Sequence, residues 1–215
     1  MEDIVQTLTI YAIPVIFAIT LHEAAHGYVA RHFGDPTAWQ LGRITLNPVK
    51  HVDPVGTLLA PALILLFSKG AFIFGWAKPV PVDFNRLRKP KQDMLWVAAA
   101  GPGANLAMAL GWGLLLKLAV VMPQTVYSLP LAEMARAGIM VNGVLMLLNL
   151  LPLPPLDGGR IAVSLLPPGL SWRFAQIERY GFVILIVLLF TGVLSGILTP
   201  LLRQFLFFIK ALFSL

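Results

Sequence analysis

The sequence predicts an all-α polytopic membrane protein: a single domain over residues 1–215. About five to six transmembrane helices are expected, with a short re-entrant or strand-containing element after the first. Three observations predict it. Hydrophobic residues fill 58% of the 215 positions and charged residues only 12%, where a soluble domain carries about 25% charge. The uncharged runs are long, at 4–21, 54–68, 94–116, 137–156 and 180–202. Four of these five reach the roughly 18–20 residues that carry a helix across a hydrocarbon core.

The first run continues without a breaker through a histidine-rich stretch, so helix 1 is expected over roughly 4–33, stopped by Gly34, Asp35 and Pro36. Residues 37–56 hold Arg43, Asn47-Pro48, Lys50, His51 and Asp53 and predict a loop with short extended pieces. Segment 57–76 is shorter than the other apolar segments, contains Pro61 and is interrupted by Lys69-Gly70. The next loop, 77–93, is the most basic, with Lys78, Arg86, Arg88, Lys89 and Lys91. Excess Lys and Arg place it on the cytoplasmic side, and Arg31, Arg43 and Lys50 place loop 31–56 there too. Both assignments hold only if 57–76 crosses an even number of times, which favours a re-entrant element surrounded by protein or a wet cavity. Further helices are expected over 94–121, opening with "AAAGPGANLA", over 134–151, ending in "NLLPLPPLDGGR", and over 180–199. The tail "LLRQFLFFIKALF" reads as amphipathic or short spanning, and no internal repeat is visible.

Charge and composition also exclude some classes. The net charge of +6 fits cytoplasmic loops and anionic headgroups of a bilayer rather than nucleic acid. Glu2 and Asp3 replace the basic residues of a secretory leader, and no small-residue cleavage site follows the first run, so no cleaved signal peptide is expected. The absence of cysteine removes disulfides and thiolate metal sites.

The chemistry concentrates in His22-Glu23-Ala24-Ala25-His26, an H-E-x-x-H pattern. Helical positions four apart lie about 40° apart in azimuth and ~6 Å apart along the axis, so two imidazoles can converge on one metal ion. Glu23 sits beside that face, where a carboxylate can take a proton from metal-bound water. Ionisable groups on a membrane helix cost at least a few kcal/mol each and mark function by default. His32 falls on another face and reads as a helix-end residue. A catalytic zinc takes three protein ligands and keeps one open position. Asp157, after Pro152, Pro154 and Pro155 and before Gly158 and Gly159, is the leading candidate for the third. It could also serve as N-cap of a short helix over 159–166. His51 and Asp53 are rivals for the third position, or loop residues that bond a turn. Asn149 could hold a substrate backbone or polarise a scissile carbonyl. Asn105, after "AGPGA", reads as an interhelical hydrogen-bonding residue, and Gly192 and Gly196 form a lone G-x-x-x-G suited to helix packing.

"HEAAH", "AGPGANL" and "NLLPLPPLDGG", in this order over roughly residues 10–165, resemble the site-2 proteases, a family of intramembrane zinc metalloproteases. "GRITLNPVKHVDPVG" and "GWAKPVPVD" are similar to a compact prokaryotic branch without the extra N-terminal helix or PDZ domain. The resemblance implies one Zn²⁺ per chain held by His22, His26 and Asp157, with Glu23 as the catalytic base. It also matches Asn149 to the family's asparagine upstream of that aspartate. It implies a multi-pass protein of the cell membrane with its active site near the cytoplasmic side. The substrate would be a transmembrane protein, unwound locally and offered as a strand to "KPVPV". His51 and Asp53 are not among the family-wide motifs. A metal-dependent transporter and a catalytically silent membrane-protein binder remain as alternatives. A transporter, though, needs no glutamate wedged between two ligands and typically shows an inverted repeat.

Overall fold

The structure, a computed structural model, describes residues 2–60, 63, 66, 75, 77–123 and 125–215. The described residues are predominantly helical and contain no β-strand. Helix α1 spans Glu2–His32 and tolerates Pro14 in its interior, as membrane helices do where neighbours satisfy the freed carbonyl. Gly34, at φ 111°, ends it in the left-handed conformation open to glycine. Residues 37–59 form compact turns instead of the expected extended pieces. They comprise α2 (Thr37–Gln40), a 3-10 turn at Pro48–His51 and a π-helical turn at Pro54–Leu59. Asn47 and Asp53 cause the difference, because each side chain accepts backbone N–H groups of the turn that follows it.

The re-entrant reading of 57–76 lies almost entirely outside the described residues beyond Ala60. Residues 77–83 run non-helically with no ladder partner among the described residues.

Helix α3, Pro90–Val121, begins four residues before its expected start. Pro90 takes the first helical position and Asp93 reaches back to accept the Lys89 N–H at 2.7 Å, a start that needs no apolar residue. Helix α4 covers Ser128–Asn149, followed by α5 (Asp157–Leu165) and α6 (Pro168–Ala175). The single helix expected over 180–199 is two: α7, Glu178–Phe190, and α8, Val193–Phe213. Gly192 between them stands at φ 78°, which breaks the helix. The expected tail is the C-terminal part of α8. At 13 residues, α7 is only about 20 Å long and does not cross a hydrocarbon core of about 30 Å. Among the described residues, four helical stretches are long and apolar enough to span: Ile10–His32, Pro90–Val121, Ser128–Asn149 and Val193–Phe213. These four account for the apolar runs at 4–21, 94–116 and 137–156 and for the end of the run at 180–202, whereas most of the expected element at 57–76 lies outside the described residues.

Helices α1, α3 and α4 pack mutually, α5 lies on α3, and α8 covers α3 and α4 from the other side. Ala109, Ala119, Ala132 and Ala135 line the α3–α4 seam together with Leu116, Ile139 and Met146, and Phe205 and Ile209 of α8 close the cluster. Small residues at such a seam let helix backbones approach closely where lipid removes the hydrophobic drive.

Candidate metal site

His22 and His26, one turn apart on α1, bring their Nε2 atoms within 3.1 Å of each other. Asp157 Oδ2, at the start of α5, lies 3.3 Å from the first and 3.4 Å from the second. The two rings stand nearly perpendicular, at 83°. Each Nδ1 is already committed: His22 Nδ1 to Asn105 Oδ1 at 2.6 Å and His26 Nδ1 to the Val97 carbonyl at 2.7 Å. The orientation of the Asn105 amide follows from its other end, where Nδ2 donates to the Ala18 carbonyl at 3.2 Å and to Asn142 Oδ1 at 2.9 Å. Both partners of the Nδ1 atoms are thus acceptors, so Nδ1 carries the hydrogen and a neutral ring presents a bare Nε2 lone pair.

Two lone pairs and a carboxylate oxygen therefore crowd one another in a buried place, and Asp157 Oδ2 has no hydrogen-bond partner. Such an arrangement is repulsive until a cation enters it. Ligand atoms about 2.0–2.1 Å from a tetrahedral zinc are separated by about 3.4 Å, which matches the observed spacings. His22, His26 and Asp157 form a group able to hold a metal ion, and nitrogen with carboxylate oxygen is a donor set that suits zinc.

The surrounding backbone makes room for this group. A Cβ at Gly101 of α3 would lie 2.4 Å from His26 Nε2 and 2.6 Å from His22 Nε2, so only glycine lets α3 back directly onto the two imidazoles. Past α4, Pro152, Pro154 and Pro155 prevent helix and the chain turns back towards α1. A Cβ at Gly158 would meet the Leu150 and Leu151 carbonyl oxygens at 2.3 Å, so α5 starts against the end of α4. Asp157 is the first residue of α5 and Leu156 the cap. Its carboxylate therefore points at the cluster rather than at its own helix, and the positive helix terminus favours its charge.

The other candidate residues fall in distinct places. Glu23 stands beside the cluster with Oε2 accepting the Val80 N–H at 2.7 Å. Asn149, the last residue of α4, donates from Nδ2 to the Leu145 carbonyl at 3.0 Å. His51 is buried with Nε2 at 3.0 Å from the Thr45 carbonyl, and Asp53 caps the following turn; neither belongs to the three-residue group. His32 is the exposed last residue of α1, edge-on to Phe33. Asn105 does make interhelical bonds, and one of them is to His22. Two contributors had no local signal, the Val97 carbonyl and Asn142, whereas Gly101 lies in "AGPGANL", a stretch that marks close packing without showing what packs there. Asn142 is fully buried, and its Nδ2 donates to the Gly138 carbonyl at 2.8 Å.

An α-helical membrane protein with a buried two-imidazole, one-carboxylate cluster beside an H-E-x-x-H glutamate belongs to the metal-site class. The relatives narrow that class. Over 194 residues the chain is 43% identical to a Bacillus subtilis protein named "Putative zinc metalloprotease YwhC", the match covering 89% of this chain and 84% of that protein. Over 180 residues it is 32% identical to "Putative zinc metalloprotease Rip2" of Mycolicibacterium smegmatis, covering 84% of this chain and 66% of that one. The Mycobacterium tuberculosis H37Rv protein of the same name is 29% identical over 181 residues. No protein-family model and no solved structure matches. The chain belongs to the site-2 protease family.

Proposed function

We propose that this chain is an intramembrane zinc metalloendopeptidase that hydrolyses a peptide bond within or near a transmembrane helix of a membrane-protein substrate. The observation that carries the reading is the convergence of the two imidazole Nε2 atoms and the Asp157 carboxylate beside Glu23. His22, His26 and Asp157 would hold the ion, one per chain. When bound, zinc supplies Lewis acidity, polarising a carbonyl and making water acidic near neutral pH. Glu23 accepts the proton of the attacking water at its carboxylate and returns it to the departing amine. Asn105 and the Val97 carbonyl fix the tautomer and orientation of the two imidazoles. Asn149 has one N–H in its own helix; its second N–H is available to the oxyanion.

The substrate enters as an unwound stretch of transmembrane helix and pairs with the 78–82 segment at Val80 and Val82. Among the described residues, the Val80 carbonyl and both backbone groups of Val82 carry no hydrogen bond. The basic residues of loops 31–56 and 77–93 support a site at the cytoplasmic side of the cell membrane. The test is to purify wild type and Glu23→Gln in detergent and measure bound zinc together with cleavage of a candidate transmembrane substrate. Zinc retained with cleavage abolished supports the proposal, and equal cleavage by both forms refutes it.

A further inference from the structure

Glu23 is held from outside its own helix. Its Oε2 accepts the Val80 N–H at 2.7 Å, short for N–H···O and in the range of charge-assisted bonds. Val80 lies between Pro79 and Pro81, neither of which has an N–H, so Val80 carries the one backbone donor of residues 79–81. The two prolines also bias Lys78 and Val80 to extended backbone.

This run is fastened at both ends and along one side. The Lys78 N–H donates to the His51 carbonyl at 2.9 Å, and Arg43 Nη2 donates to the Lys78 and Pro79 carbonyls at 2.9 and 3.2 Å. At the far end the Asp83 N–H donates to Oδ2 of the fully buried Asp35 at 2.7 Å. The same Asp35 accepts the Thr37 N–H through Oδ1 at 3.0 Å, which ties the run to the turn after α1. Gly27 lets the run lie flat on α1 one turn beyond Glu23. A Cβ there would stand 3.0 Å from Val80 Cγ1 and 2.9 Å from Ile44 Cγ1, and Val80 is buried.

We infer that Val80 is a positioning residue: its main-chain N–H, presented by the fastened run 78–83, fixes the carboxylate of Glu23 towards the metal cluster. The inference rests on the protease reading for its catalytic consequence and not for the contact itself. The same short segment then carries both the proposed substrate-pairing edge and the anchor of the base. A substrate backbone laid on Val82 and the Val80 carbonyl is thereby placed in register with the carboxylate that must take the proton. A misplaced base lowers the rate of a bound substrate more than its binding.

Two measurements test this. Amide hydrogen exchange is followed by mass spectrometry on peptides covering 77–83, in full-length protein in detergent. The Val80 amide is expected to exchange at least about tenfold faster in Glu23→Ala than in wild type, with the Lys78 and Asp83 amides unchanged. Equal protection of Val80 in both proteins overturns the inference, whether or not the protein cleaves anything. In the second measurement, Val80→Pro removes the N–H while Val80→Ala keeps it. The proline variant is expected to show about tenfold lower kcat than the alanine variant, with KM within about twofold and equal zinc content. Equal kcat for the two variants overturns the inference. If Val80→Pro does not fold, the exchange measurement alone decides. If wild type retains zinc and cleaves no substrate while Val80 protection depends on Glu23, the protease reading fails and the contact stands.

Discussion

Two glycines separated by one residue on α3 are packed to opposite standards. Gly101 backs onto both imidazoles, so a methyl group there would sit among the ligand atoms, whereas Gly103 has no neighbouring atom within 4 Å of where its Cβ would stand. The contrast extends to whole regions. Around the triad every polar atom of Asn105 and Asn142 named above has a partner, and backbone runs into backbone at Gly158. In the α7–α8 hairpin, Gly192 and Gly196 have open space around them, and Phe207, Phe208 and Leu212 are exposed. The triad region is packed on every side; α8 is packed only on the face that carries Phe205 and Ile209, and its other face offers an apolar surface that lipid can cover. A G-x-x-x-G spacing says nothing by itself about which standard applies.

Substitutions can break or sharpen this contrast. The largest effect is expected for Gly101→Ala, which should lose zinc to below about a tenth of the wild-type content per chain by metal analysis; Gly103→Ala should keep it. Next comes Asp157→Ala. Zinc at about 100 times its Kd stabilises a folded protein by about 2.7 kcal/mol, so thermal unfolding with and without chelator should show a zinc-dependent rise in Tm for wild type. That rise should vanish for Asp157→Ala. Asn105→Ala frees the His22 ring and should weaken zinc binding by roughly 10–100-fold in competition titrations. Asn142→Ala, one bond further out, should weaken it by less than Asn105→Ala does. The smallest effect belongs to Gly196→Ala, an open helix-interior position where about 0.5–1 kcal/mol of added helix stability is expected. A large loss of stability there would show that the α8 face bearing Gly196 is packed too, and the contrast would fall.

What was legible in the sequence follows the same division. The H-E-x-x-H spacing is a local consequence of helix geometry, so the pairing of His22 with His26 could be anticipated from α1 alone. The prolines and glycines around Asp157 announced a break in the helix and a close approach, and both are found. Helices α3 and α4 start before the apolar runs do: Pro90 and Asp93 open α3 in polar sequence, and α4 opens at Ser128, whose hydroxyl accepts the Thr125 N–H of the preceding turn at 2.9 Å. The break at Gly192 was missed because a glycine inside an apolar run carries no polar signal, and only its left-handed φ reveals the turn. Asn142 was illegible for a different reason. Its role depends on which neighbour α3 presents to it, and no pattern within α4 encodes that. The hold on Glu23 is likewise invisible locally, since it joins α1 to a run 57 positions later.

The order of the ligands along the chain has a consequence for how this protein is made. His22 and His26 are translated early, while Asp157 follows only after α3 and α4 have been synthesised. At ribosomal speeds of about 5–20 residues per second, that interval is on the order of 7–30 s. Over that interval the chain carries two imidazoles and a glutamate without the carboxylate that would complete the proposed site. Chemistry requiring all three ligands cannot start beside the translocation machinery until synthesis has passed the last ligand.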